Sequence, residues 1–328
     1  MTVLVTGASG LVGSHVVEAL AARAEPVRAL VRPASRDAVV QLGAEAVVGD
    51  VTDAAAWRVA ARGVRAIVHA AAIVQRRATW ARYVAVNVDA TRLAVTAARA
   101  TGAHLVHVSS VAVYGGSAAY PAAPERRDEG FVFQPIAELD YYGRTKRMAE
   151  DVVRDAAGRG DVAAVALRPT VVYGERDRLF TPRVVRALRL AFTPQIGPGT
   201  NRLSCVYAGN VAAAVLAALD APPRGFRAYN VTSDGAPALS HREFFAAFAS
   251  ALGRRYRPVP IPQSLARFVI GLFTAPRLAG AGVRFLSGDN PYVDDRIRSE
   301  LGWHPPTAAP EAIARTARWF LKNEKPGR

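Results

Sequence analysis

The chain has 328 residues, 51% hydrophobic and 21% charged, a composition that suits one or two globular α/β units and excludes disorder, collagen and coiled coil. Its single cysteine, Cys205, excludes an internal disulfide, and its six scattered histidines give no metal-ligand spacing, so no metal is expected and a reducing, cytoplasmic compartment fits. The formal charge of +15 is carried almost wholly by arginines spread along the chain without a basic block or aromatic interleaving, which argues against a nucleic-acid partner and for compositional bias, with an anionic substrate or cofactor as the weaker alternative.

In chain order, Thr2–Thr6 is a strand-like apolar run directly after Met1, with no charged and apolar leader ahead of it, so no signal peptide is expected. The run leads through Gly7, Ala8, Ser9, Gly10, Leu11, Val12 and Gly13 into helical spacing over Leu11–Arg23. Val27–Val31 reads as the second strand, Ala46–Val48 as the third and Ala66–His69 as the fourth. A long helical pattern follows from Thr79 to Thr101, then a fifth strand over His104–Ser109, a helix around Tyr142–Val152 and a sixth strand over Val162–Leu167. Repeated strand–helix–strand units predict a doubly wound parallel sheet of Rossmann type, covered by helices on both faces. After Arg168-Pro169 proline and glycine become frequent, and a smaller, interleaved C-terminal substrate-binding region is expected. The dinucleotide-binding part is placed at residues 1–168, with 204–232 returning to it as a strand and helix (Ser204–Leu219). Residues 169–203 and 233–328 are assigned to the substrate region. No window approaches the ~18 apolar residues of a membrane span. The nearest, Phe268–Ala275, reads as a buried helix or pocket wall, with a lip touching a membrane or a lipid-like substrate as the alternative.

Three places carry chemistry. Glycines at 7, 10 and 13 sit between a strand and a helix, where a tight turn lets backbone N–H groups approach a pyrophosphate at the positive end of the helix. The second strand ends on Arg32, followed by Pro33, Ala34, Ser35 and Arg36. An acid there would bind a ribose 2′-hydroxyl; an arginine instead suits a 2′-phosphate, so NADP(H) is preferred and NAD(H) remains possible, the plain alternative being a solvated arginine. Tyr142 and Lys146 lie four residues apart on one face of a predicted helix. An ammonium near a phenol lowers its pKa from ~10, which lets it exchange a proton with a carbonyl/alcohol pair during hydride transfer. A hydroxyl at the end of the fifth strand, Ser109 or Ser110, is expected to hydrogen-bond the substrate oxygen.

Taken with Gly49-Asp50-Val51, His69-Ala70-Ala71, Asn87-Val88, Arg168–Gly174 and Glu300–Trp303, these motifs resemble the extended short-chain dehydrogenase/reductase family over nearly the whole chain. The resemblance selects Ser110 over Ser109. It implies adenine contacts from Asp50 and Val51, and a cofactor groove lined by Ala70 and Ala71. It implies a nicotinamide flanked by Pro169 and Val172, with its ribose held by Lys146, and it implies support of the site by Asn87. A helix cap is the ordinary alternative for both Asp50 and Asn87. Nucleotide-sugar epimerases and dehydratases of the family carry Asn where Thr170 stands and Arg where Leu203 stands, with Arg202 adjacent. The stretch Arg202–Val211 and the opening segment are more similar to the 3β-hydroxysteroid dehydrogenase and dihydroflavonol reductase branches. The expectation is therefore reversible ketone/alcohol redox on an apolar or acyl-type small molecule, compatible with the apolar stretch Leu265–Leu278, in a homodimer. A nucleotide-sugar epimerase using retained NAD and a non-catalytic cofactor sensor are the alternatives.

Overall fold

The computed structural model describes residues 2–74, 78–115, 126–266, 268 and 283–323. Seven parallel strands form the central sheet: β1 (Thr2–Thr6), β2 (Val27–Val31), β3 (Glu45–Val48), β4 (Val64–His69), β5 (His104–Val108), β6 (Ala164–Pro169) and, later in the chain, Phe226–Val231. Reading across the sheet, β3, β2 and β1 run one way from the centre, and β4, β5, β6 and Phe226–Val231 run the other. The chain reverses its winding between β1 and β4, and that junction is the crevice where open α/β sheets bind ligands. β1, β2, β4, β5 and β6 are legible as largely apolar runs because both faces are covered, whereas the edge strand β3 is partly exposed.

Helix α1 (Leu11–Ala22) packs on one face of the sheet. The other face is covered by α3 (Ala54–Ala60), which follows the short α2 (Arg36–Gln41), and by α5 (Ala90–Thr101) and α6 (Tyr141–Gly158). The predicted helix 79–101 is one run of α4 (Trp80–Tyr83), a π-turn over Val84–Asp89 and α5, started by Thr79, whose hydroxyl accepts from the Arg82 amide. Asp140 caps α6 by accepting from Gly143 N at 2.9 Å.

Beyond β6 come β7 (Val171–Tyr173), α7 (Thr181–Leu188), β8 (Thr193–Ile196), β9 (Cys205–Tyr207), α8 (Ala208–Asp220), β10 (Phe226–Val231), α9 (His241–Ala251), β11 (Pro258–Ile261), α10 (Asp295–Leu301) and α11 (Ala309–Lys322). One expectation is corrected here. The strand read at Ser204 does not join the main sheet: β9 pairs in parallel with β7 in a separate two-stranded sheet. Cys205 and Tyr207 pack with Tyr173, Phe244, Phe248 and Ile313 in a separate core, while Val206 packs in the first core with α1 and α8. The seventh strand of the main sheet is β10, paired with β6. Helix α8 does return to the main sheet, packing with α1 in the first core. Strands β8 and β11 form a third, parallel pair. Most of the Leu265–Leu278 stretch lies outside the described residues. No helix among the described residues is long and apolar enough to cross a membrane.

Candidate active site

The carboxyl edge of the sheet gathers the residues singled out in the sequence. Gly7 leaves β1 with φ +67°, and a Cβ there would stand 2.7 Å from Ala70 C and Ala71 N, so the phosphate-loop backbone lies directly on the loop after β4. Gly13 is still more constrained: its Cβ would fall 2.2 Å from the Gly7 carbonyl oxygen. Gly10 N donates to that oxygen at 2.8 Å. Helix α1 starts at Gly10 with no side-chain cap, so its first-turn N–H groups keep the unpaired donors that an anion takes. Ala70 N and Ala71 N reach back to the Thr6 carbonyl and hydroxyl at 3.3 and 3.4 Å. This cradle, which only glycine leaves open, fits a dinucleotide pyrophosphate. Ser9, Leu11 and Val12 lie along its turn and first helical residues.

Arg32 is exposed at the end of β2, where it opens a 3-10 turn over Pro33–Ser35. Arg36 sits beside Asp37 at 3.5 Å. Asp50 is no helix cap, since Asp53 caps α3 by accepting from Ala55 N. Asp50 instead closes a turn on Thr52, accepting from its amide at 3.0 Å and its hydroxyl at 2.8 Å. Burial works against its charge, but the Thr52 hydrogen bonds and then Arg82 and Arg32 hold the carboxyl below its ordinary range. Val51 is half-buried against the second face of the sheet.

Asn87 is also no cap. It is buried within the π-turn, accepting from Ile73 N at 2.7 Å and donating to Ile73 O at 3.2 Å and to the Thr145 hydroxyl at 3.0 Å. It therefore ties the loop after β4 to the turn of α6 that carries Lys146.

Tyr142 lies beside Ser110, whose hydroxyl acts on its phenol. Ser110 also caps the 3-10 turn Val111–Tyr114, accepting from Ala112 N at 3.2 Å. Ser109 points elsewhere: its hydroxyl donates to Glu150 at 2.6 Å inside the protein. The two serines thus divide, one toward Tyr142 and one toward the interior. The expected effect of Lys146 on Tyr142 needs correction. Burial pushes the Tyr142 phenol up and Ser110 opposes it only in part, so its pKa lies above, not below, the ordinary value. The Lys146 ammonium instead donates to Val108 O at 2.6 Å and lies 3.5 Å from His107 Nε2. Burial brings its own pKa down to about 8, against an opposing pull from Glu150.

Sequence reasoning missed the buried shell behind this pair. His107 stacks on His69 with ring centroids 5.7 Å apart. Burial and then Lys146 hold both imidazoles neutral, with His69 down at about 3. Glu150, fully buried, accepts from Arg168 through Nε at 3.1 Å and Nη2 at 2.6 Å and from Arg154 at 2.9 Å. Arg168 in turn donates to the Tyr114 hydroxyl, which donates to Asn230 on β10, both at 2.8 Å. A signal existed: Glu150 stands four residues beyond Lys146 and eight beyond Tyr142, on the same helical face, where an acid is buried only if paired. Pro169 ends β6 and Val172 lies in β7, at the same edge of the sheet. A cavity of about 240 Å³ lined by Leu203, Cys205, Asp234, Leu239 and Phe244 includes none of the predicted site residues. The Cys205 thiol there is buried and pushed up by that burial and by Asp234, so it is not poised to react.

A glycine cradle at the switch point of a parallel sheet, with a tyrosine, a lysine and a serine at the neighbouring strand ends, defines an oxidoreductase that binds a nicotinamide dinucleotide. Residues 3–232 match the model of the NAD dependent epimerase/dehydratase family. The chain is 32% identical, over 92% of each sequence, to a 4-hydroxy-2-methyl-3-oxo-4-farnesyl-3,4-dihydroquinoline-1-oxide ketoreductase of Stigmatella aurantiaca. It is 31% identical, over 98% of each, to sterol demethylase protein B of Methylococcus capsulatus. Among solved structures it is similar to MoeE5 in complex with UDP-glucose and NAD, with a TM-score of 0.72, 25% identity and coverage of 98% of this chain and 99% of the other. The chain belongs to the NAD-dependent epimerase/dehydratase family, the extended branch of the short-chain dehydrogenases/reductases.

Proposed function

We propose that the protein interconverts a ketone or aldehyde and an alcohol on an apolar or acyl-type small molecule, using NADP(H). The observation that carries the reading is the placement of Tyr142 and the buried Lys146 one turn apart on α6, with Ser110 beside the phenol at the end of β5. In the reductive direction Ser110 orients the substrate oxygen and Tyr142 gives it a proton; in the oxidative direction Tyr142 takes the proton back. Burial raises the phenol, so Tyr142 is the protonated, donating form at neutral pH. A nicotinamide dinucleotide held there would supply or accept the hydride.

The loop from Gly7 to Gly13, with Ser9, Gly10, Leu11 and Val12, would hold the pyrophosphate. Asp50 and Val51 would take the adenine, Ala70 and Ala71 the groove, Pro169 and Val172 the nicotinamide, and Lys146 its ribose. Asn87 would fix the β4 loop against α6. Arg32, exposed where an acid would select NAD, would pair with a 2′-phosphate.

The substrate class rests on two supports. The ketoreductase and sterol-demethylation relatives carry names of apolar chemistry. The positions that bind a nucleotide diphosphate in the sugar-modifying branch are spent otherwise. Leu203 is buried, Thr170 donates its hydroxyl to Thr232 O at 2.8 Å, and Arg202 is engaged with Glu243 and the Ala238 carbonyl. A screen of ketones from short and polar to long and apolar, followed by NADPH consumption with Tyr142→Phe as control, tests the reading. Turnover that rises with apolar length and vanishes in the variant is expected. Activity confined to nucleotide sugars with retained NAD would overturn it.

A further inference from the structure

Residues 178–219 and 244–288 contain no Asp or Glu, although the chain carries 27 acids. The fold brings these two stretches together through the parallel pair of β8 and β11, with Thr193 opposite Pro258 and Pro194 opposite Val259. Thr193 N also donates to Arg257 O at 2.8 Å. Strand alternation then sorts the side chains. Thr193 and Gln195 are buried, and Tyr256, whose hydroxyl reaches Gln195, belongs to that inner side. Phe192, Pro194, Arg257 and Val259 take the outer face, and all four are exposed.

The face is apolar and basic at once. Phe192 is 60% exposed, Leu190 56% and Val259 43%, and beyond β11 Leu265 is 50% and Phe268 66% exposed, three residues apart on one helical side while Ala266 turns into the core. Phe192 and Phe268 are the exposed phenylalanines among the described residues. The same acid-free segments carry the exposed arginines 186, 254, 255 and 257. Single exposed hydrophobics are ordinary, but five on two acid-free, arginine-bearing segments of one lobe are not.

We propose that this face docks on an anionic lipid bilayer surface. Arginine guanidiniums pair with lipid phosphates, and the phenylalanine and aliphatic side chains enter the interface between headgroups and acyl chains. The docking proposed is peripheral; no helix among the described residues is long and apolar enough to cross a membrane. The aliphatic residues Leu190, Val259 and Leu265 favour lipid over nucleic acid, because they offer a base nothing to stack on or hydrogen-bond.

Co-sedimentation of the full-length protein with vesicles tests the proposal. The protein is expected to bind phosphatidylcholine vesicles containing phosphatidylglycerol and not phosphatidylcholine alone, and to be released as salt shortens the Debye length from about 10 Å at 0.1 M. The pairs Arg255→Glu/Arg257→Glu and Phe192→Ser/Phe268→Ser are each expected to weaken binding about tenfold or more, with the turnover of a soluble substrate unchanged. Absence of binding to the anionic vesicles at low salt would overturn the proposal. So would full binding by Phe192→Ser/Phe268→Ser, which would reduce the surface to a bare polycation, and so would duplex DNA bound more tightly than the anionic vesicles.

Discussion

Substitution of the three loop and helix glycines by alanine should produce a graded series whose order follows from distances alone. At Gly13 an added Cβ lies 2.2 Å from the Gly7 carbonyl oxygen, over an ångström inside ordinary contact at ~3.5 Å. The obstacle is backbone, held in place by the Gly10 N–H, so either the loop or the start of α1 must move. Overpacking of this kind costs about 1–3 kcal/mol. If the displaced loop regains its shape only when the pyrophosphate binds, the same strain enters the binding free energy as a loss of about 5- to 150-fold in NADPH affinity. At Gly10 the Cβ would sit 3.1 Å from the same oxygen, a conflict relieved by a few tenths of an ångström, so Gly10→Ala should cost under about 1 kcal/mol. At Gly158, the last residue of α6, nothing lies within 4 Å. Gly158→Ala should leave affinity untouched and add up to about 1 kcal/mol of stability through the unfolded chain's reduced freedom. Urea unfolding without cofactor and nicotinamide-fluorescence titration with it measure both quantities. Wild-type stability and affinity in Gly13→Ala would refute the account of the loop.

Two further outcomes bear on the site. Tyr142→Phe should lower kcat/KM by about 10²–10⁴-fold while leaving the NADPH Kd within about twofold; substantial residual turnover would remove the phenol from its role as proton donor. Glu150→Gln leaves the buried Arg168 uncompensated and should cost about 3 kcal/mol or more in urea unfolding. Glu150 is held below its ordinary pKa when folded, despite burial, by its bonds to Arg168 and Ser109. Its contribution is therefore complete above the unfolded value of ~4.3 and lost as the pH falls through the lower folded value, so wild type and variant should converge in acid. A difference that does not narrow below that pH would contradict the ion-pair explanation.

What was legible in the sequence and what was not divides along physical lines. β1 is β-branched at all but Leu4, β2 and β5 are short, largely buried runs rich in Val and Leu, and the glycine loop is local, so these could be read residue by residue. β10 was hidden because its run, Phe226-Arg227-Ala228-Tyr229-Asn230-Val231, is broken by Asn230. That polar side chain is buried only because it donates to Arg127 O at 3.2 Å and Val293 O at 3.0 Å and accepts from Tyr114. The three-residue strands β7 and β9 are too short for periodicity to show, and their pairing joins positions 34 residues apart. In the site, spacing along α6 identified Tyr142 and Lys146 and placed them on one helix. It could not reveal that the Lys146 ammonium meets the Val108 carbonyl, or that Ser109 is taken by Glu150, because those partners come from β5 across the sheet. In sequence alone Asn87 fitted either a helix cap or a residue supporting the site; its role as a bracket depends on Ile73 and Thr145, neither of which is near it in sequence.

The proposed preference for NADP(H) rests on Arg32 as the discriminating residue. Parallel titrations of the wild type and of Arg32→Glu with NADPH and NADH test it most directly. The account predicts NADPH binding about tenfold or more tighter than NADH in the wild type, as a charge-assisted contact to phosphate provides, and loss of that margin in the variant with NADH affinity nearly unchanged. Equal affinities in the wild type, an equal loss for both cofactors in the variant, or NAD that co-purifies and does not exchange would contradict it.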